Sequence, residues 1–147
     1  MAYRFRLEAL LRLRQRQVEA ARFELARLLK QYRDAQAAVS ALSKAKEDAD
    51  LKAKAGLAKG MPAGRYRLEA DYIEMLTSEI DRYENMLLEL EPHIQRAKEA
   101  LARRHVEEKL VERFKKDDFA AYMLQERNAE QKKADDLAAV RYGRNKA

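Results

Sequence analysis

Residues that could do chemistry are few in this chain, and their spacing does not assemble a catalytic or metal site. His93 and His105 are 12 positions apart, whereas two histidines on one helix share a metal only when they lie about one turn apart. Ser40, Ser43 and Ser78 lie within helical patterns and have no oriented base beside them. The chain has no cysteine, which excludes disulfides and thiolate chemistry. We therefore expect no catalytic residue, no metal site and no cofactor, and hence not an enzyme.

The elements that carry these residues are predicted to be helices throughout. Ala, Glu, Lys, Leu and Arg make up 92 of the 147 residues, a share typical of coiled coils and long helices. Val, Ile and Thr number only nine, which is too few to build a sheet from β-branched residues. The composition therefore indicates an all-α protein.

One stretch interrupts the helical pattern. Gly56, Gly60 and Gly64 fall within nine residues, and Pro62 lies among them. The stretch is not a phosphate-binding loop, because no Lys-Ser or Lys-Thr pair follows the glycines. We predict a first helix over about residues 4–55, a turn over 56–64 and a second helix over about 66–141, within a single coiled-coil domain of residues 1–147. Gly56 is expected to end the first helix with a positive φ.

Apolar residues recur at spacings of three and four on both sides of this turn, which is the pattern of a coiled-coil seam. If the chain folds back on itself, facing residues should have numbers with a constant sum, and a sum of 122 aligns the two seams. This register places Arg14 opposite Glu108. The facing pairs are Leu42/Ile80, Val39/Tyr83, Ala35/Leu87, Tyr32/Leu90, Leu28/Ile94, Leu25/Ala97 and Ala21/Leu101.

The second helix is predicted to outrun the first. In this register Met1 lies beside Ala121, so the residues after about 121 form an overhang without a facing helix. We expect the apolar residues of the overhang to pack against a binding partner, because an isolated helix of this length is marginally stable in water. Beyond Leu101 the stripe is expected to shift onto Val106, Leu110 and Phe114. The predicted fold is a long antiparallel two-helix coiled-coil hairpin with an overhanging C-terminal helix.

The charge of the chain is unevenly distributed. The net charge is +6, residues 1–33 alone carry +6, and residues 66–91 carry −6. No apolar run is long enough to span a bilayer and no secretory leader is evident, so we expect a cytosolic protein. A basic rod that binds nucleic acid, a membrane-surface helix over residues 7–18 and a generic coiled-coil spacer remain open as alternatives.

Two terminal motifs resemble a known family. The opening Phe-Arg-Leu-Glu-Ala-Leu-Leu-Arg-Leu-Arg-Gln-Arg-Gln of residues 5–17 resembles the start of FliJ proteins of the bacterial flagellar export apparatus. The segment Glu-Arg-Asn-Ala-Glu-Gln-Lys-Lys-Ala-Asp-Asp-Leu of residues 126–137 resembles the C-terminal segment of that family. The resemblance covers essentially the whole chain, and a stalk of virulence-type secretion systems is the neighbouring alternative.

The resemblance implies a non-enzymatic stalk that works at the flagellar base, on the cytoplasmic side of the inner membrane. Its implied partners are the hexameric export ATPase FliI, the export gate FlhA and export chaperones. Nucleic acid is an unlikely partner under this reading, and membrane association is peripheral. The implied ATPase contacts are Arg4, Arg6, Arg12, Arg127, Gln131, Lys132, Lys133 and Asp135. The implied gate contacts are Leu42, Tyr72, Leu76, Glu79 and Tyr83.

Overall fold

The structure, a computed structural model, describes residues 2–146 and the side chains of residues 2–145. It consists of two α-helices, α1 (Glu8–Ala58) and α2 (Ala63–Lys146), and no strand occurs in the described part of the chain. The prediction of an all-α antiparallel hairpin is confirmed. Pro92 lies inside α2 without ending it.

The helix boundaries differ from the predicted ones by three to five residues. α1 begins at Glu8 rather than near residue 4, with Glu8 donating its backbone N–H to the Phe5 carbonyl at 3.2 Å. α2 begins at Ala63 because the Pro62 carbonyl accepts the N–H groups of Arg65 and Tyr66, both at 3.1 Å. The first N–H groups of a helix have no acceptor within the helix, so proline, which lacks an N–H, loses no hydrogen bond at this position. The proline ring also fixes φ near the helical value. α2 also continues past residue 141, to Lys146.

The turn is shorter than predicted, and a different glycine ends α1. Gly60 has a φ of +83°, whereas Gly56 lies within the helix. Met61 donates to the Gly56 carbonyl at 3.0 Å and Gly60 donates to the Leu57 carbonyl at 3.1 Å. These two bonds form a Schellman motif, which requires the positive φ at Gly60. The assignment of Gly56 as the terminating residue was therefore wrong.

Backbone proximity divides the chain into two compact units. The hairpin unit comprises Ala21–Leu101 and the terminal unit comprises Met1–Ala20 with Ala102–Ala147. In the hairpin unit, Leu28, Leu90 and Ile94 form a buried cluster against which Leu25, Leu29, Tyr32 and Ala97 pack. The six residues of the predicted pairs Leu25/Ala97, Leu28/Ile94 and Tyr32/Leu90 all belong to this cluster. The pairing sum of 122 thus describes the core of the hairpin unit.

The terminal unit has its own buried apolar residues. Leu11, Val18 and Val111 are 5%, 2% and 4% exposed. The numbers of Leu11 and Val111 again sum to 122, so the predicted pairing sum also relates two buried residues of the terminal unit. The predicted shift of the apolar stripe was wrong, because Val106, Leu110 and Phe114 are 68%, 52% and 49% exposed.

One predicted polar pair is corrected by a single residue. Arg14 contacts Glu107 rather than Glu108, at 3.2 Å between Nη1 and Oε2. Glu107 also binds Arg104 at 3.1 Å, so one carboxylate serves a guanidinium from each helix. The Arg14 side chain is long enough to reach a residue other than the one directly opposite. Its apolar stem can lie along the helix surface while the guanidinium binds a carboxylate nearby.

Candidate protein-binding surfaces

Tyr3, which precedes α1, is fixed to α2 by an aromatic cluster. The Tyr3 hydroxyl donates to Asp118 Oδ2 at 2.9 Å, and the Lys115 carbonyl oxygen lies 3.4 Å from the Tyr3 hydroxyl oxygen. The Tyr3 ring meets Phe119 edge-on at 5.0 Å between centroids and Tyr122 at 5.2 Å. Partial burial, and then the hydrogen bond and negative charge of Asp118, raise the pKa of Tyr3 to about 12. The cluster gives Tyr3 a defined position on α2.

The predicted N-terminal ATPase contacts are exposed beside this cluster. Arg4 and Arg12 line one shallow cleft together with Tyr3, Phe5, Glu8 and Lys115. Within the cleft, Lys115 Nζ binds Glu8 Oε2 at 3.0 Å. Arg6 is also exposed. The structure therefore brings Arg4 and Arg12 to a common surface of the terminal unit.

The predicted C-terminal ATPase contacts follow on the exposed part of α2. All of residues 123–145 are exposed, including Arg127, Gln131, Lys132, Lys133 and Asp135. Arg127, Gln131 and Asp135 are spaced four residues apart and share one helix face. Arg127 and Asp135 lie about 8 and 20 Å farther along α2 than Tyr122. The terminal unit thus holds the two groups of predicted ATPase contacts on successive parts of its surface.

The exposed part of α2 also carries large apolar side chains. Met123, Leu124, Leu137 and Val140 are 51%, 57%, 60% and 58% exposed. Apolar side chains on an isolated helix contribute nothing to stability until another surface covers them. These apolar side chains are therefore not covered by any other described residue to an extent that would bury them.

The predicted gate contacts lie in the hairpin unit and differ in accessibility. Leu76 is 3% exposed and packs in the core, whereas Tyr72 is 45% exposed. Leu42, Glu79 and Tyr83 are half-buried. Arg82 binds Glu79 at 2.8 Å and lies over the Tyr83 ring, with 4.6 Å between the guanidinium carbon and the ring centroid. Tyr72, Glu79 and Tyr83 are therefore accessible at the surface, at least in part, whereas Leu76 is buried.

The sequence reasoning missed two apolar residues beside Tyr72. Leu68 and Met75 are 71% and 52% exposed, four residues before and three residues after Tyr72. Leu68 and Tyr72 line the same cleft with Ala45 and Ala49 of α1. The signal was available in the spacing, because apolar residues that fall outside the seam at helical intervals form a second stripe.

Across residues 2–146 the structure gathers no group of three or more His, Cys, Asp or Glu side chains suited to a metal ion. None of the helices in this range is long and apolar enough to cross a membrane.

The comparison with protein families decides the identity of the chain. The family model described as Flagellar FliJ protein matches residues 3–147. The chain belongs to the FliJ family. FliJ-family proteins are components of the flagellar export apparatus with a structural role and are not known enzymes. No curated protein and no solved structure matches this FliJ-family chain significantly.

Proposed function

We propose that the chain is the central-stalk-like coiled coil of the flagellar export apparatus and that its terminal unit binds the export ATPase FliI. The exposed α2 segment of residues 123–145 carries this proposal, because Met123, Leu124, Leu137 and Val140 are each more than half exposed. Arg4 and Arg12 on one cleft, and Arg127, Lys132 and Lys133 farther along α2, supply cations for acidic surface of the ATPase. FliJ-family membership supports the choice of partner.

The hairpin unit supplies the second proposed contact, to the export gate FlhA. Tyr72, Glu79 and Tyr83 offer the accessible groups, and the exposed Leu68 and Met75 extend the apolar surface around Tyr72. An aromatic side chain surrounded by apolar neighbours has the composition of an interface anchor. The chain acts on the cytoplasmic side of the flagellar base in this proposal, and it escorts export chaperones.

Truncation of α2 after residue 121 tests the ATPase contact. The shortened chain keeps the hairpin unit, so its circular dichroism should retain a helical spectrum while stimulation of FliI assembly or turnover is lost. The point variant Leu124→Ser/Leu137→Ser should weaken stimulation in the full chain. Leu51→Ser/Leu88→Ser is the matched control, because these leucines are 66% and 64% exposed in the hairpin unit. Full stimulation by the truncated chain would refute the proposed ATPase contact.

Competition with nucleic acid separates the stalk from the basic-rod alternative. Binding to phosphate backbones weakens steeply as salt rises, whereas an interface with an apolar centre does not. We expect FliI binding, and not nucleic-acid binding, to persist near physiological salt. Sub-micromolar nucleic-acid binding at that salt without measurable ATPase binding would favour the alternative.

The gate contact is tested on the hairpin unit. Tyr72→Ala should reduce binding of the cytoplasmic part of FlhA about 10-fold or more, as expected for loss of an aromatic anchor. Phe23→Ala is the control, because Phe23 is 73% exposed in the same unit and is remote in sequence from Tyr72. Equal losses in the two variants would show that Tyr72 is not a specific contact.

A further inference from the structure

Positive charge is concentrated at the turn between the helices. This concentration is not visible in the net charges of longer segments. Residues 51–68, here called the basic turn segment, contain Lys52, Lys54, Lys59, Arg65 and Arg67 and no acidic residue. Lys52 Nζ lies 4.0 Å from Glu69 Oε1. The other four cations form no ion pair within the described residues 2–146. The flanking acids Asp50 and Glu69 are four residues from Lys54 and Arg65 respectively, about 6 Å along the helix axis in each case.

Large apolar side chains are exposed among these cations. Leu51, Leu57, Tyr66 and Leu68 are 66%, 51%, 43% and 71% exposed. Leu57 and Tyr66 line a shallow cleft with Lys54 and Asp50. Leu68 lines a second cleft with the cations Lys52 and Arg65 and the carboxylates Asp48 and Glu69. The cleft at the turn itself is lined by Lys52, Lys59, Arg65 and Met61 and by no carboxylate, so the cations exceed the acids at this end of the hairpin unit.

We propose that the basic turn segment docks on the surface of a bilayer that contains anionic phospholipid. Cations beside exposed leucine and tyrosine side chains match a lipid interface, where acyl chains accept the apolar groups and headgroup phosphates attract the charges. Leu57 and Tyr66 lie in one cleft, Leu68 lies in another and Leu51 lines neither, so no single groove is presented to a folded partner. A fluid interface accommodates both clefts at once. The inference does not depend on the ATPase or gate contacts. Leu68 also belongs to the proposed gate surface, so Leu57 and Tyr66 are the apolar groups that distinguish the bilayer contact.

The strength of this docking follows from its two components. Each Lys or Arg near an anionic surface contributes about fivefold to the partition coefficient. This contribution falls with ionic strength, because the Debye length shortens from about 10 Å at 0.1 M to about 3 Å at 1 M salt. Binding should therefore require anionic lipid, weaken with salt and be reversible.

Cosedimentation of the full chain with vesicles tests the charge component. The probes are phosphatidylglycerol–phosphatidylcholine vesicles and pure phosphatidylcholine vesicles. The triple variant Lys54→Gln/Lys59→Gln/Arg67→Gln should lose about 100-fold in partitioning to the anionic vesicles, since each cation contributes about fivefold. The matched control is Lys30→Gln/Arg33→Gln/Lys98→Gln. It has the same net charge, and its sites are exposed on the hairpin unit roughly 40–50 Å along the helices from the turn. The control should bind like the unmodified chain.

A tryptophan reporter tests the apolar component. The chain contains no tryptophan, so Tyr66→Trp introduces a single probe in the basic turn segment. Its fluorescence should shift to the blue on anionic vesicles and be shielded from aqueous quenchers. Phe23→Trp, at a 73% exposed position of the same unit, should show neither change.

Several outcomes would overturn the proposal. Equal binding to neutral and anionic vesicles would remove the role of charge. Equal loss in the two triple variants would assign binding to the net charge of the chain rather than to the turn. An absence of vesicle binding, accompanied by salt-sensitive capture of an acidic protein that requires the cations of the turn, would assign the segment to a protein partner. A blue shift at position 23 but not at position 66 would place the membrane contact elsewhere.

Discussion

The Arg14 guanidinium binds the Glu107 carboxylate across the two helices of the terminal unit, at 3.2 Å between Nη1 and Oε2. The same carboxylate binds Arg104, and the same Nη1 donates to Gln17 Oε1 at 3.0 Å. Arg14 lies between the buried apolar residues Leu11 and Val18 on α1. A polar group inside an apolar seam selects one alignment of two helices more than it adds stability.

The Arg14–Glu107 pair should contribute modestly to stability. Arg14→Met keeps the apolar stem and should change the free energy of unfolding by less than about 1 kcal/mol, whereas Arg14→Ala also loses stem packing and should cost about 1–2 kcal/mol. Urea titration of the full chain, followed by circular dichroism, measures both. A double-mutant cycle with Glu107→Gln should give a coupling of about 0.5–1 kcal/mol. A coupling of zero would show that the pair does not contribute.

The aromatic cluster should respond to alkaline pH. The pKa of Tyr3 is raised to about 12, above the value of about 10 expected in the unfolded chain. The neutral phenol is therefore favoured by folding, and its contribution is fully present below pH 10 and is lost as the pH rises through 12. Ultraviolet difference spectra of the full chain and of Tyr3→Phe isolate the ionisation of this one phenol. Asp118→Asn should lower the pKa of Tyr3, and an unchanged value would exclude Asp118 as a cause.

The buried cluster of the hairpin unit should dominate its stability. Ile94→Ala removes a side chain that is 9% exposed and should cost about 2–4 kcal/mol. Leu88→Ala, on the same helix at a position 64% exposed, should stay within about 0.5 kcal/mol. Thermal and urea unfolding compare the two variants. Crosslinks between positions 28 and 94 and between 35 and 87 within one chain provide an independent check of the register.

The glycines of the turn should respond in opposite directions to substitution by alanine. Gly60→Ala forces a side chain into a φ of +83° and should destabilise the chain by about 1–2 kcal/mol. Gly64→Ala meets open space inside α2 and should stabilise it by about 0.5 kcal/mol. Melting temperatures measured side by side test the pair. A destabilised Gly64→Ala variant would mean that this glycine has a role beyond the helix.

Periodicity in the sequence predicted most of the helical architecture. The seam repeat identified six of the seven residues of the buried cluster, all but Leu29, because apolar residues spaced by three and four lie on one helix face. The glycines and Pro62 identified the turn that joins the helices. The ends of the helices were less accurate. The sequence alone does not distinguish Gly56 from Gly60. The hydrogen bonds donated by the Met61 and Gly60 N–H groups identify Gly60 as the glycine with the positive φ.

The candidate surfaces were predicted less completely than the fold. Tyr72 and Leu76 were grouped together by resemblance, but the structure exposes the first and buries the second. The exposed residues Leu68 and Met75 were passed over because they lie outside the seam. The cations of the basic turn segment were hidden by sums over longer segments, in which the acids of residues 66–91 outweigh them. Charges interact over about one Debye length, so the net charge of a surface should be summed over segments of about that length.

The pairing sum of the hairpin unit limits how the chain can change in length. Each arm of the hairpin unit is the part of α1 or α2 that it contains. Removal of one residue from one arm would shift every facing pair between the deletion and the end of the unit opposite the turn. It would also rotate that part of the helix by about 100° relative to the other arm. Removal of seven residues from both arms at the same level keeps every remaining layer matched, because seven residues return the seam to the same side. The reach of the hairpin is therefore adjustable in steps of about 10 Å, provided that both arms change together.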